Sequence, residues 1–93
     1  MLFRSITEKK EGAKTKVLFL EGKISQEYRS ELQAEIEKGI DSRERIILDF
    51  SKVSFLDEKA AKMIREFADK KLSLRNCSLY IRTVLRMEGR EGK

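Results

Sequence analysis

Two carboxylates, Asp49 and Asp57, flank the passage from an apolar segment into a helical pattern, and paired carboxylates are what general acid–base work or a magnesium ion requires. The rest of that chemistry is missing, because the chain has no glycine-rich phosphate loop, no positioned base and no second set of ligands around the pair. Histidine is absent and Cys77 is the only cysteine. A Cys/His zinc site, an internal disulfide, a Ser-His-Asp triad and a Cys-His pair are therefore excluded. Cys77 falls in an alternating apolar segment, where a cysteine is more often a small buried hydrophobe than a redox sensor. Asp57 immediately precedes a helical pattern and is read as its N-cap, while Ser51 and Ser54 are read as turn or capping hydroxyls. No enzyme activity, cofactor, metal site or small-molecule substrate is expected.

The elements that must position these residues follow from hydrophobic periodicity. Leu2–Ile6 is a short strand candidate, and the polar stretch from Glu8 to Lys14, with Gly12, reads as a hairpin turn. Val17–Leu20 is a continuous apolar strand that Gly22 should end. From Ser25 the period changes: Tyr28, Leu32, Ile36 and Ile40 recur every four residues, which predicts a helix over 26–38, capped by Ser25 and terminated at Gly39. Tyr28 is read as a core-edge residue. Ile46–Phe50 is the strongest strand signal, with a turn at Ser51-Lys52. A second helix then runs from Asp57 through Ala60, Ala61, Ile64, Phe67 and Ala68 to Leu72, with Lys70 and Lys71 in its last turn. Cys77, Leu79 and Ile81 alternate with polar neighbours and predict a final strand, after which Val84, Leu85 and Met87 offer at most a short helix before a frayed end. The order β-β-α-β-α-β implies an α/β single domain, a mixed sheet of about four strands with helices mainly on one face.

At 93 residues and 10.9 kDa the chain suits one domain, placed at 1–83 with a short basic tail at 84–93. Hydrophobic and charged residues each make up 40%, enough apolar material to fold, and no apolar run approaches bilayer length, so the protein is expected to be soluble and cytoplasmic. The net charge of +5 invites a nucleic-acid reading, but residues 17–81 hold twelve basic and twelve acidic side chains, and the excess sits at the two ends. A mixed-charge body is an ordinary solvated surface, which makes nucleic acid an unfavoured partner. Arg82, Arg86, Arg90 and Lys93 read most simply as a solvated terminus.

The segment Arg45-Ile-Ile-Leu-Asp-Phe-Ser-Lys-Val-Ser-Phe-Leu-Asp57, followed directly by a helix, resembles the centre of the STAS domain, the fold of bacterial anti-sigma factor antagonists. Upstream, Val17-Leu-Phe-Leu-Glu-Gly22-Lys-Ile is similar to the family's second strand and its glycine before helix one, and Cys77-Ser-Leu-Tyr-Ile resembles its fourth strand. The resemblance implies a regulatory binding module in which a Ser or Thr just after the aspartate is phosphorylated by a partner anti-sigma factor kinase. Here that position is Glu58, followed by Lys59 and Ala60 in place of a small hydroxyl residue and glycine, so the phospho-switch is absent or fixed. Glu58 either imitates the modified state weakly or is simply a good first-turn residue, and the second reading is the simpler.

The docking surface this implies is Ser54, Asp57, Glu58, Lys59 and Lys62. A further helix and strand would normally follow residue 83 in the family, and their shortening makes a homodimer an expectation. Two other classes stay open: an accessory or scaffold subunit of a transporter or stress-sensing complex, and a basic nucleic-acid-binding domain using both termini.

Overall fold

A computed structural model describes residues 6–68 and 72–86 of the chain. Its elements are β1 (Ile6–Lys10), β2 (Thr15–Ile24), α1 (Gln26–Asp41), β3 (Arg45–Leu56), α2 (Glu58–Ala68), β4 (Leu72–Arg75) and α3 (Leu79–Val84). The strands form one mixed sheet in sequence order, with β1 antiparallel to β2 and the pairs β2–β3 and β3–β4 parallel. Each parallel pair is bridged by a helix, as a parallel connection requires. The expected α/β architecture and element order are observed.

Alternation along the strands decides the two faces. Ile46, Leu48 and Phe50 of β3 join Leu18 and Leu20 of β2 in the core, where Leu32 and Ile36 of α1, Ile64 of α2 and Ile81 of α3 meet them. All three helices thus contribute to one core on one face of the sheet. The intervening residues Phe19, Ile47 and Asp49, with Ser73 and Arg75 of β4 beside them in register, belong to the other face. The four-residue spacing of α1 is borne out, with Tyr28, Leu32 and Ile36 buried.

Several expectations are corrected. The stretch Glu8–Lys14 is not all turn: Thr7–Lys10 pair with β2, and only residues 11–14 reverse the chain, with Gly12 at φ 92°. An edge strand needs no apolar alternation, and lysines suit it. Gly22 does not end β2; at φ 86° it sits beside a register shift inside the strand. Ser51-Lys52 is likewise no turn. β3 runs through it, twelve residues against the ten of β2, taking up the excess as one extra residue near Ser51 and another at Ser54.

Gly39 does not terminate α1, which continues to Asp41, and the left-handed residue is Arg43 at φ 62°. Gly39 is needed for close approach, because a Cβ there would lie 2.1 Å from Ile46 Cδ1. Leu72 does not belong to the second helix, described over Glu58–Ala68, but opens β4 opposite Ile46. The strand expected around Cys77–Ile81 does not form, and a helix starts at Leu79 instead: Ser78 Oγ accepts from Ile81 N–H at 3.2 Å, and α3 buries Ile81 and then Leu85, four residues on. Serine capping and the spacing of 81 and 85 outcompete a two-residue alternation that three apolar residues happened to satisfy. Leu85, in the segment expected as tail, packs in the core. The strand candidate at 2–5, Lys70, Lys71, Met87 and the tail residues Arg90 and Lys93 lie outside the described residues.

One charged cluster sits inside this frame. Lys16, opposite Ile46 and only 4% exposed, lies 3.7 Å from Glu44 and 3.9 Å from Glu8, and Lys10 also bonds Glu44. The hydrogen bond from Lys10 holds the Glu44 carboxyl below its usual range. Among the described residues no helix is long and apolar enough to cross a membrane.

Candidate functional site

The C-terminal ends of β2 and β3 and the N-terminal ends of α1 and α2 meet at one edge of the molecule, the region outside the strand ends where α/β sheets place their sites. Asp57 is the hinge of this junction. Its N–H donates to Ile24 O at 3.1 Å, tying the end of β3 to the end of β2. Its Oδ1 accepts from Ala60 N–H at 2.8 Å and its carbonyl from Ala61 N–H at 2.9 Å, so it caps α2 as expected from its place before the helix. Its Oδ2 faces Arg29 Nη1 of α1 at 3.9 Å. Asp57→Ala is expected to lower stability by about 1 kcal/mol, read as a shifted urea midpoint with an unchanged slope.

Two tyrosines brace the junction from either side. Tyr80 of α3 uses its hydroxyl twice, accepting from Leu56 N–H at 3.2 Å and donating to Leu56 O at 3.3 Å, which holds the last residue of β3 just before Asp57. Tyr28, in the first turn of α1, accepts from Glu21 N–H at 2.9 Å, and burial pushes its hydroxyl up to about 12 despite that bond. Ser25 holds the N-cap position of α1 but makes no side-chain capping bond.

Ser25, Arg29, Asp57, Glu58 and Lys59 line an open cleft between the two helix starts. Both helix N-termini direct positive potential into this region. Glu58, at the first position of α2, is about 70% exposed and lies 3.6 Å from the equally exposed Arg86, a pair worth little in water. Lys59 and Lys62 project from α2 into solvent, and Lys62 lines a groove that continues the cleft between α1 and α2. Ser54 is exposed on β3 at its second extra residue and does not line the cleft.

Of the five residues expected to form one surface, Asp57, Glu58 and Lys59 therefore converge, Lys62 continues the same face, and Ser54 stands apart. Sequence reasoning missed Arg29, which lies twenty-eight positions from Asp57 and meets it only through the crossover of α1. Its one signal was its position on the first turn after Ser25. Tyr80 was missed because its segment read as strand.

Asp49 and Asp57 do not cooperate. Roughly 25 Å of extended chain separates them, and Asp49 is engaged on the far face of the sheet, where it accepts from Ser51 N–H at 2.9 Å, Arg75 Nε at 3.1 Å and Asn76 Nδ2 at 2.9 Å. Among the described residues no group of three His, Cys, Asp or Glu side chains converges as metal ligands do.

The STAS domain family model matches residues 5–87. The fold is similar to the solved structure of the anti-sigma factor antagonist SpoIIAA in its unphosphorylated form, with a TM-score of 0.73 and 22% sequence identity over 90% of this chain and 80% of that one. No curated protein matches the chain.

Proposed function

Because the chain belongs to the STAS domain family, we propose that it is a small cytoplasmic regulatory module, without enzymatic activity, that binds a kinase-fold anti-sigma factor or another STAS-binding protein through the head of α2. One observation carries this reading. Glu58 is the exposed first residue of a helix capped by Asp57, at the position where the family resemblance expects a phosphoacceptor. A phosphate there would bring about −1.5 to −2 charge to the helix N-terminus and alter the docking face on demand. A glutamate brings a single fixed charge and no hydroxyl, so docking in this protein is constitutive with respect to that switch.

Affinity capture of the tagged protein from nuclease-treated lysate of its own organism should recover a kinase-fold anti-sigma factor. Glu58→Ser should then accept phosphate from radiolabelled ATP in the presence of that kinase, while the wild type stays unlabelled. Recovery of transporter or scaffold subunits alone would overturn the anti-sigma assignment. So would absence of transfer to the Glu58→Ser protein when the same kinase modifies its own antagonist.

A further inference from the structure

The cleft at the head of α2 continues into a groove between α1 and α2. Arg29 and Gln33, one turn apart on α1, form one wall; Lys59, Lys62 and Glu66 form the other, and Met63 and Phe67 lie along the base. The groove is polarised. Its three cations lie toward the helix starts, where the helix dipoles add further positive potential, and its one carboxylate, Glu66, lies further along α2. Lys59 and Lys62 have no carboxylate within 4 Å among the described residues, while the two carboxylates at that end are engaged elsewhere, Asp57 as the cap of α2 and 3.9 Å from Arg29, and Glu58 3.6 Å from Arg86. Met63 and the half-buried Phe67 supply an apolar strip beside these charges.

Resting on the docking role of the α2 head, we propose that this groove seats an acidic amphipathic segment of the protein partner. Its carboxylates lie over Arg29, Lys59 and Lys62, an apolar side chain rests against Met63 and Phe67, and a basic residue reaches Glu66. This order sets the direction in which the segment lies. Opposed charges of this kind contribute to specificity and association rate more than to raw affinity, with the apolar anchor holding the bound state. A nucleic-acid strand fits poorly, because its evenly spaced phosphates would meet Glu66 and the apolar strip instead of a continuous basic track.

The test is a titration of the isotope-labelled protein, followed by amide NMR shifts, with a synthetic helical peptide that carries Glu at one end, Leu along one face and Lys at the other end. Shifts should concentrate at Arg29, Gln33, Lys59, Lys62 and Phe67. The K59E/K62E double variant should bind about tenfold or more weakly at low salt, and that gap should shrink as salt is added. No binding of the peptide, equal binding by the double variant, equal binding of a peptide with Lys in place of its Glu residues, or tighter binding of a short oligothymidylate would each overturn the proposal.

The captured partner separates this proposal from the functional reading. If the partner binds K59E/K62E as tightly as wild type but is lost by Glu58→Arg, the groove falls and the docking head stands. If the peptide binds in the groove as described and capture yields no regulatory partner, the groove stands and the anti-sigma assignment falls.

Discussion

Asp49→Ala is expected to destabilise the fold by about 2–3 kcal/mol, more than any exposed ion pair in the molecule contributes. The carboxylate is 3% exposed and accepts three hydrogen bonds that join β3, β4 and the turn after β4. Its loss strands the Arg75 guanidinium on the sheet, still 3.6 Å from Glu11 and stacked 5.8 Å over Phe19 but without its buried partner. For a domain of this size the effect corresponds to a melting temperature lower by roughly 10–20 °C.

The pH dependence of this loss is signed. Burial alone would raise the Asp49 carboxyl, but the bonds from Ser51, Arg75 and Asn76 outweigh it and hold the group below its ordinary value of 3.8. A carboxyl lowered in the folded state contributes stability that is fully present above the unfolded value and is lost as pH falls through the folded one. The gap between wild type and Asp49→Asn in chemical denaturation should therefore be constant near neutrality and narrow below about pH 4. A gap that stayed constant into acid would show that the bonds do not favour the ionised form.

Gly39→Val is the second large effect, at about 3 kcal/mol or more. Glycine within a helix ordinarily costs about 0.5–1 kcal/mol relative to alanine, so Gly39→Ala would stabilise an unconstrained helix. Here the added Cβ would lie 2.1 Å from Ile46 Cδ1 and 3.0 Å from its Cγ1, and the Ile46 side chain, on β3, is fully buried. Overpacking at about 1–3 kcal/mol wins over the propensity gain, and valine adds two methyl groups to the collision.

The diagnostic is a double-mutant cycle. Ile46→Val removes the colliding Cδ1 and alone costs about 0.5–1.5 kcal/mol. Combined with Gly39→Ala it should cost clearly less than the two single changes added, read from urea midpoints. Strict additivity would mean that α1 moves away from the sheet and that the close approach carries no constraint.

These positions also divide what was legible in the sequence from what was not. Asp57 could be read as a cap because capping is local: the acceptor and the N–H it serves are three residues apart. The face of α1 was equally legible, because Tyr28, Leu32 and Ile36 repeat with the pitch of a helix. The role of Gly39 was misread, since both a helix terminator and a close contact call for glycine, and only the position of Ile46 distinguishes them. The segment Cys77–Ile81 failed for a related reason: three apolar residues at a spacing of two fit a strand, but burial of Leu85 and the Ser78 cap favour a turn of helix.

Local chemistry in the sequence thus determined the order of strands and helices, the cap at Asp57, a carboxylate instead of a hydroxyl at position 58 and the exclusion of every site that needs a histidine. The tertiary structure alone decided that Arg29 meets Asp57 and that Tyr80 pins Leu56. It also decided that Asp49 faces away from Asp57 and that α1 and α2 leave a polarised groove between them. The physical reason is range: periodicity, capping and residue type act within a few positions of the chain. The pairings that build the site depend on strand register and helix crossings, which join residues twenty or more positions apart and become definite only when the core closes.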